Sequence, residues 1–268
     1  LWSYGTGNVG FGDGELAGPH TATENPLNPD EIVVSEQFGC DVLVISRSTG
    51  EARLLRGERG DHGTGDLQDA THSAYFLTSG PYCSHVLISE QKGDHRVMIL
   101  HRDSGEVLWC CDKMEAPLEA IYWDDEHIMV SDLPRGIYKI RLEDQEIVWH
   151  YDTTPHGHPF YLQRLFEFND SYGGDLLAGF WGDNRVIQEI DTATSQVKWS
   201  YGNAGDRGNV AMGTGGDLYD RLGCPVRALR YGSNEHGGGM TIIVDERARI
   251  FCVNQDKELI WDLGGSSG

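Results

Sequence analysis

Three histidines stand at nearly the same place in successive copies of a repeated sequence pattern: His20, His72 and His158. An imidazole titrates near neutral pH, so it can act as a general base, a general acid or a nucleophile. Glu119 stands in the matching segment of another copy and could orient a histidine, and Tyr161 closely follows His158. We therefore expect these five residues to form a catalytic group.

Charged side chains of the same segments could bind an anionic substrate. The guanidinium groups of Arg164 and Arg227 supply paired donors that match a carboxylate or a sulfate. Glu24 and Arg230 complete the predicted substrate-binding group. For each residue taken singly, the alternative is structural. A histidine would then bond the backbone of a neighbouring repeat, and Glu119 and Arg227 would form ion pairs.

Two kinds of metal site are compatible with this sequence. Neutral imidazoles of His20, His72 and His158 could together hold a transition metal. Calcium is the other candidate, because acidic residues recur in glycine-rich segments at residues 5–18, 57–69 and 202–223. None of these segments has the spacing of an EF-hand loop, so the sequence is compatible with a divalent metal, either a transition metal in the channel or calcium, and does not identify a cofactor.

The elements that must position these side chains are short apolar strands that recur five times. Each copy has a strand that usually ends in an acidic residue, a second apolar strand, and a closing strand that usually ends in tryptophan. The first strands of the pairs begin at Ile32, Val86, Ile128, Leu176 and Ile242. A period of roughly 40 to 60 residues built from short strands is typical of a β-propeller. The sequence therefore predicts an all-β propeller with five four-stranded blades.

The closing strands carry Trp109, Trp149, Trp199 and Trp261, and the first copy has Leu54 in the aligned position. A tryptophan at a fixed place in each blade is expected to fill the gap between neighbouring sheets. The start of the chain, Leu1-Trp2-Ser3-Tyr4-Gly5, repeats the pattern of Lys198-Trp199-Ser200-Tyr201-Gly202. This segment could close a five-bladed ring, or it could belong to a sixth blade, which is the alternative.

The innermost strands are predicted just before each strand pair, and they carry the candidate catalytic residues. Ligands of propellers bind at the central channel, which these strands line. The uninterrupted repeat predicts a single domain over residues 1–263. Residues 264–268 read Gly-Gly-Ser-Ser-Gly and are expected to be a flexible tail.

The repeat resembles that of quinoprotein-like and arylsulfotransferase-like β-propellers. The resemblance rests on the Trp-Ser-Tyr-Gly phrase, the glycine-rich crossings, the Pro19-His20 start, the acid at the strand end, and closures such as Gly105-Glu106-Val107-Leu108-Trp109. It covers most of the chain from Trp2 to Trp261. Arylsulfotransferases of this type use a channel histidine as the sulfate acceptor, and His20 or His72 is the nearest match.

Composition narrows the choice of partners. A formal net charge of −21 disfavours a nucleic acid partner, because binding phosphates requires clustered cations. No stretch approaches the roughly 20 apolar residues of a membrane span, so no membrane insertion is expected. The chain has six cysteines, an even count that suits disulfides and favours a secreted or extracytoplasmic location, although the compartment stays open.

Two functions remain compatible with the sequence. The first is an enzyme that acts on a small molecule in the channel by histidine acid/base or nucleophilic chemistry, as a lyase, isomerase or transferase, with or without a metal. The second is a noncatalytic propeller that binds a glycan or another protein through its exposed rims. Fold alone does not separate them, because propellers host both kinds of function.

Overall fold

The structure is a computed structural model. It describes residues 2–12, 14–60, 67, 69–133, 136–165, 174–181, 185–202, 225–231, 239–245 and 249–263. The predicted tail at residues 264–268 and most of the glycine-rich segment at residues 202–223 lie outside these ranges. No helix in the described part of the chain is long and apolar enough to cross a membrane.

Twenty strands form five antiparallel four-stranded sheets, each a blade with its strands in chain order. Blade 1 contains β1 (Pro19–Asn25), β2 (Asn28–Glu36), β3 (Asp41–Ser46) and β4 (Ala52–Gly57). Blade 2 contains β5 (Asp69–Phe76), β6 (Val86–Lys92), β7 (Val97–Leu100) and β8 (Val107–Cys111). Blade 3 contains β9 (Pro117–Asp124), β10 (His127–Asp132), β11 (Gly136–Arg141) and β12 (Ile147–Asp152).

Blades 4 and 5 complete the described fold. Blade 4 contains β13 (His158–Leu165), β14 (Asp175–Trp181), β15 (Val186–Asp191) and β16 (Val197–Tyr201). Blade 5 contains β17 (Pro225–Tyr231), β18 (Met240–Asp245), β19 (Arg249–Val253) and β20 (Leu259–Leu263). These sheets confirm the predicted all-β propeller fold with five four-stranded blades.

The chain divides into two compact units. Unit 1 comprises residues 1–133 and 138–150, and unit 2 comprises residues 134–137 and 151–268. Unit 1 therefore holds blades 1 and 2 and most of blade 3, whereas unit 2 holds blades 4 and 5. The predicted catalytic residues are divided between them, with the first two histidines and Glu119 in unit 1 and the others in unit 2.

The second and third strands of a blade are apolar on both faces because a sheet inside a stack is covered on both sides. Val33 and Val34 are consecutive residues of β2, so their side chains point to opposite faces, and both are buried. Val33 packs with residues of blade 2, including Ile88 and Met98, whereas Val34 packs with Ile32 and other residues on the opposite face. This explains the continuous apolar runs of the repeat.

The acid at the end of the second strand holds the segment that leads into the innermost strand. The Glu36 carboxylate accepts a hydrogen bond from the Ala17 backbone N–H at 2.7 Å. Asp132 of blade 3 accepts in the same way from the Ala116 N–H at 2.6 Å. Both acceptors are buried, where a carboxylate needs such partners. The recurrent acid of the sequence pattern thus has a structural role in these two blades.

Blade 1 has a second buried acid beside the first. Asp41 lies opposite Glu36 in the pairing of β2 with β3, and Arg59 approaches both carboxyl groups at 3.5 and 3.6 Å. Burial raises the pKa of Asp41 to about 8, with a further increase from the hydrogen bond and charge of Glu36 and an opposing effect of Arg59. Asp41 is therefore largely protonated at neutral pH, which avoids two adjacent buried negative charges.

Two of the closing-strand tryptophans, Trp109 and Trp199, link neighbouring blades as predicted. The indole Nε1 of Trp109 donates to the Leu142 carbonyl at 2.8 Å, and that of Trp199 donates to the Gln255 carbonyl at 2.9 Å. In blade 1 the predicted alignment of Leu54 with these tryptophans is wrong, because Arg53 pairs with Val44 in the place where Trp109 pairs with Ile99. Blades 2, 4 and 5 have a β-bulge just before the tryptophan, whereas in blade 1 the bulge lies further along the strand, between Val42 and Leu43.

Arg53 takes over the linking role of the tryptophan in blade 1. Its Nη2 donates to the Arg102 carbonyl at 2.9 Å, and Arg102 stands in the same turn of blade 2 as Leu142 does in blade 3. A guanidinium group can replace an indole here because both are planar N–H donors with an apolar stem or ring behind them.

Candidate functional site

The register of the sheets shows which residues share a position on the innermost strands. Thr21 lies opposite Ser35 in blade 1, Ser73 lies opposite Ser89 in blade 2, and Glu119 lies opposite Ser131 in blade 3. The residue before each is His20, His72 and Leu118, respectively. The first two histidines therefore occupy equivalent positions, as the sequence alignment predicted.

Hydroxyl pairs hold the innermost strands of blades 1 and 2 together. Ser35 Oγ accepts from the Thr21 N–H at 3.1 Å and donates to the His72 carbonyl at 3.3 Å. Thr21 Oγ1 lies 2.8 Å from Ser35 Oγ and accepts from the Ala74 N–H at 3.0 Å. All of these groups are buried, so the bonds define the spacing of β1 and β5.

The same arrangement recurs between blades 2 and 3. Ser89 Oγ accepts from the Ser73 N–H at 3.1 Å and donates to the Leu118 carbonyl at 2.6 Å. Ser73 Oγ accepts from the Ala120 N–H at 3.1 Å. In blade 3 the equivalent of Ser73 is Glu119, so a carboxyl group replaces the linking hydroxyl.

His20 and His72 lie in direct contact. Their ring centroids are 3.6 Å apart, and the ring planes are tilted by 45°. His72 is buried at 4% exposure, whereas His20 is half-buried. The spacing of the two strands, set by the hydroxyl pair between them, brings the equivalent side chains together. We name these two residues the histidine pair.

The histidine pair does not carry two positive charges at neutral pH. Burial lowers the pKa of His72 to about 3, and the charge of His20 lowers it further, while a hydrogen bond to the Leu118 backbone acts in the opposite direction. His72 is therefore a neutral ring oriented by the backbone of blade 3. His20, the more exposed ring, is the member of the pair that can meet a ligand.

Glu119 and Tyr75 form a second pair in unit 1. The Tyr75 hydroxyl donates to Glu119 Oε1, and Glu119 is 4% exposed. The Glu119 N–H is bonded to Ser131 Oγ at 3.0 Å, which holds the backbone of this residue in the sheet. Tyr75 was missed by the sequence prediction, although it stands two residues after Ser73 and so points to the same face of β5.

The third predicted histidine has a different setting. His158 lies in unit 2 opposite Trp181, at the start of β13, and it precedes Pro159 of that strand. Phe160, not His158, occupies the strand position that corresponds to His20 and His72. The His158 ring centroid lies 6.3 Å from that of Trp181. The structure therefore brings together two of the three predicted histidines within one unit.

Tyr161 and Arg227 contact each other in unit 2. The Arg227 guanidinium carbon lies 5.4 Å from the centre of the Tyr161 ring, within the range of a cation–π interaction. The Tyr161 hydroxyl donates to Gln163 Oε1 at 3.3 Å. Tyr161 is buried at 2% exposure, so these contacts orient a ring that has little open surface.

The other predicted substrate-binding residues have protein partners or are half-buried. Arg230 is 7% exposed, forms an ion pair with Glu189, and lies 4.3 Å from the Trp199 ring centre. Glu24 forms a partly exposed ion pair with Arg47. Arg164 is half-buried on β13. Ion pairs within the protein thus occupy the charged groups of Arg230 and Glu24.

The described residues contain no additional group of side chains that could bind a metal ion. Within those ranges no group of three or more histidine, cysteine, aspartate or glutamate side chains is arranged to hold a metal ion. The five described cysteines, Cys40, Cys83, Cys110, Cys111 and Cys252, are free thiols.

Comparison with known proteins does not assign a function to these residues. No protein-family model matches the chain, and no curated protein matches it.

Proposed function

We propose that this chain is a small-molecule enzyme in which His20 transfers a proton at the innermost strands of unit 1. The observation that carries the proposal is the contact of His20 with His72, a buried ring whose pKa is lowered to about 3. A neutral His72 supports His20 without competing for the proton, so one imidazole serves as the proton carrier. Lyase and isomerase reactions require such a carrier.

Tyr75 and Glu119 extend the proposed site. The Tyr75 hydroxyl donates to the buried Glu119 carboxyl group, which orients the phenol. Imidazole, phenol and carboxyl groups on three adjacent strands are suited to moving protons on and off a small polar molecule. Glu119 would act here by orienting Tyr75, which differs from the direct contact with histidine expected from the sequence.

Group transfer through a histidine is a second enzymatic candidate, and it is what the resemblance to arylsulfotransferase-like propellers implies. His20 is the half-buried ring of the pair, so a nitrogen of its imidazole would accept the transferred group.

The proton-transfer proposal is tested by hydrogen–deuterium exchange into substrates. The protein is incubated in D₂O with a panel of small keto acids, hydroxy acids and sugars, and NMR detects loss of a carbon-bound proton. We expect exchange in at least one compound, loss of that exchange in His20→Asn, and no change in His150→Asn, which alters an exposed histidine. Exchange that survives in a folded His20→Asn protein would contradict the proposal.

A noncatalytic function is favoured by a separate observation in unit 2. Trp181 is 43% exposed, and His158 and Phe160 pack beside it with ring centroids at 6.3 and 6.4 Å. A partly exposed aromatic surface of this kind suits a glycan or a protein partner. Binding on a glycan array that is lost in Trp181→Ala but kept in Phe38→Ala, an exposed aromatic of unit 1, would support this alternative.

A further inference from the structure

The buried acid at the end of the second strand faces a different residue in blade 1 than in blades 2 and 5. In blade 2, Glu90 forms an ion pair with Arg96 at 2.7 Å, and in blade 5, Arg249 contacts the corresponding acid at 2.6 Å. Each of these arginines stands opposite the acid across the hairpin of the second and third strands. In blade 1 the residue opposite Glu36 is Asp41, so a second carboxyl group takes the place of the arginine.

The arginine that approaches this carboxyl pair comes from outside the hairpin. Arg59 follows β4, and its guanidinium group lies 3.6 Å from Glu36 Oε2 and 3.5 Å from Asp41 Oδ2. The same guanidinium group donates to the carbonyl oxygen of Gly12 at 3.3 Å and to that of Glu15 at 2.7 Å. Arg59 therefore joins the carboxyl pair to a segment that precedes the innermost strand of blade 1.

That segment, residues 9–12 and 14–17, is named the strap here. Glu36 holds the strap directly, because its Oε1 accepts a hydrogen bond from the Ala17 N–H at 2.7 Å. The strap leads into the start of β1. Glu36 and Arg59 thus hold the strap through hydrogen bonds at three of its residues, immediately before the strand that carries the first histidine of the histidine pair.

A proton between the two carboxyl groups is what the geometry of the pair requires. Glu36 and Asp41 are fully buried, and among the described residues no N–H or O–H group donates a hydrogen bond to Glu36 Oε2 or to either oxygen of Asp41. Burial, together with the hydrogen bond and charge of Glu36, raises the pKa of Asp41 to about 8, against the opposing effect of Arg59. The buried pair therefore carries one negative charge at neutral pH.

The other titratable or charged groups near the pair have partners elsewhere. On β4, Arg56 donates to a backbone carbonyl of blade 2 at 3.2 Å. On the strap, the Glu15 carboxylate accepts an N–H of the strap itself at 3.0 Å. In the turn of the hairpin, the Cys40 thiol lies 3.9 Å from a backbone carbonyl of the same turn. Among the described residues, Arg59 is thus the charged group that balances the carboxyl pair.

We propose that the strap is a pH-sensitive switch, closed while Glu36 and Asp41 share one proton and opened when the second carboxyl group ionises. In the closed state Arg59 balances one negative charge and bonds the strap carbonyls. Loss of the proton leaves two buried negative charges beside one guanidinium group. Opening of the strap lets water reach the carboxylates, and ionised groups are more stable in water than in a protein interior. The strap therefore opens as the pH rises, which frees the backbone that leads into β1.

The test is hydrogen exchange of backbone amides in peptides that cover residues 9–17, measured by mass spectrometry between pH 5 and pH 9. Each rate is divided by the rate of an unstructured peptide at the same pH, which leaves the opening constant of the strap. Asp41 has an ordinary pKa of 3.8 when it is hydrated and a pKa of about 8 in the closed state. The opening constant should therefore rise with pH, by at least about tenfold between pH 6 and pH 8, and then level off.

Three variants separate this switch from general effects of pH. Asp41→Asn cannot ionise, so its opening constant should change by less than about threefold between pH 6 and pH 8. Glu36→Gln keeps an acceptor for the Ala17 N–H but removes the charge that shares the proton, so the same weak pH dependence is expected. The control Asp94→Asn changes an exposed carboxyl group in the corresponding hairpin of blade 2 and should leave the pH dependence of the strap unaltered.

A measurement on the wild-type chain tests the switch without any variant. The carboxyl carbon of Asp41, observed by NMR, should titrate in the same pH range in which the strap opens. A constant opening constant between pH 6 and pH 8 would overturn the proposal, as would a wild-type pH dependence in folded Asp41→Asn. A titration of Asp41 that is complete below pH 5 would also refute it. Equal changes in peptides of blades 4 and 5 would assign the effect to global unfolding and refute the switch as well.

Discussion

The histidine pair makes the stability of the protein depend on pH in a way that can be calculated. His72 titrates at about 3 in the folded protein, compared with 6.5 for an ordinary histidine. The unfolded chain therefore binds a proton at this residue between these values, and the folded chain does not, so stability falls as the pH is lowered through this range. The full effect is about 5 kcal/mol, and about 2 kcal/mol of it is lost between pH 7 and pH 5.

The assay is urea unfolding of the wild-type chain and of His72→Gln at pH 7, 6 and 5. Glutamine keeps an N–H that can bond the Leu118 backbone but does not titrate, so its free energy of unfolding should vary less with pH. We expect the difference between the two proteins to change by about 2 kcal/mol across this range, in favour of the variant at low pH. Parallel pH profiles, or an NMR titration of His72 near 6.5, would refute the argument.

Three further predictions concern buried groups. The raised pKa of Asp41 stabilises the folded state at low pH, and this stabilisation is lost as the pH rises from 3.8 toward about 8. Asp41→Asn should therefore reduce the decline of the free energy of unfolding between pH 5 and 8, measured by urea unfolding. Ser89→Ala leaves a buried N–H and a buried carbonyl without their linking hydroxyl, so it should lower the free energy of unfolding by about 1–3 kcal/mol in the same assay. The control Ser104→Ala, at an exposed serine, should change this free energy by less than about 0.5 kcal/mol. Trp109→Phe removes an inter-blade hydrogen bond and should lower Tm by several degrees in calorimetry. Trp261→Phe, at a position that is 37% exposed, should not lower Tm in this way. Equal effects of the two substitutions would contradict the packing role of Trp109.

The fold was largely predictable because its signal is local and repeated. Short apolar runs, turns and closing tryptophans define strands through hydrophobic periodicity, and five copies reinforce one another. The register error at Leu54 arose because the β-bulge of blade 1 lies further along the closing strand than in blades 2, 4 and 5, which leaves Arg53 in the linking position. A bulge depends on how two strands pair, and the composition of one strand does not reveal it.

The candidate site was predictable in part. Equivalent positions in successive blades lie side by side, so alignment was sufficient to bring His20 and His72 together. His158 precedes Pro159 in β13, so it does not occupy the strand position that His20 and His72 share. Tyr75 was missed because it is an ordinary strand residue in sequence, and its role depends on a carboxyl group 44 residues away in the next blade.

The sequence by itself determined the blade, because strand length, turn chemistry and apolar alternation act over neighbouring residues. The tertiary structure decided which of the conspicuous side chains are structural and which face one another. The acids at the strand ends hold entering segments, and Arg230 is bound to Glu189, while His72 is buried against His20. These differences come from burial and from contacts between blades, and both depend on residues that are distant in the sequence.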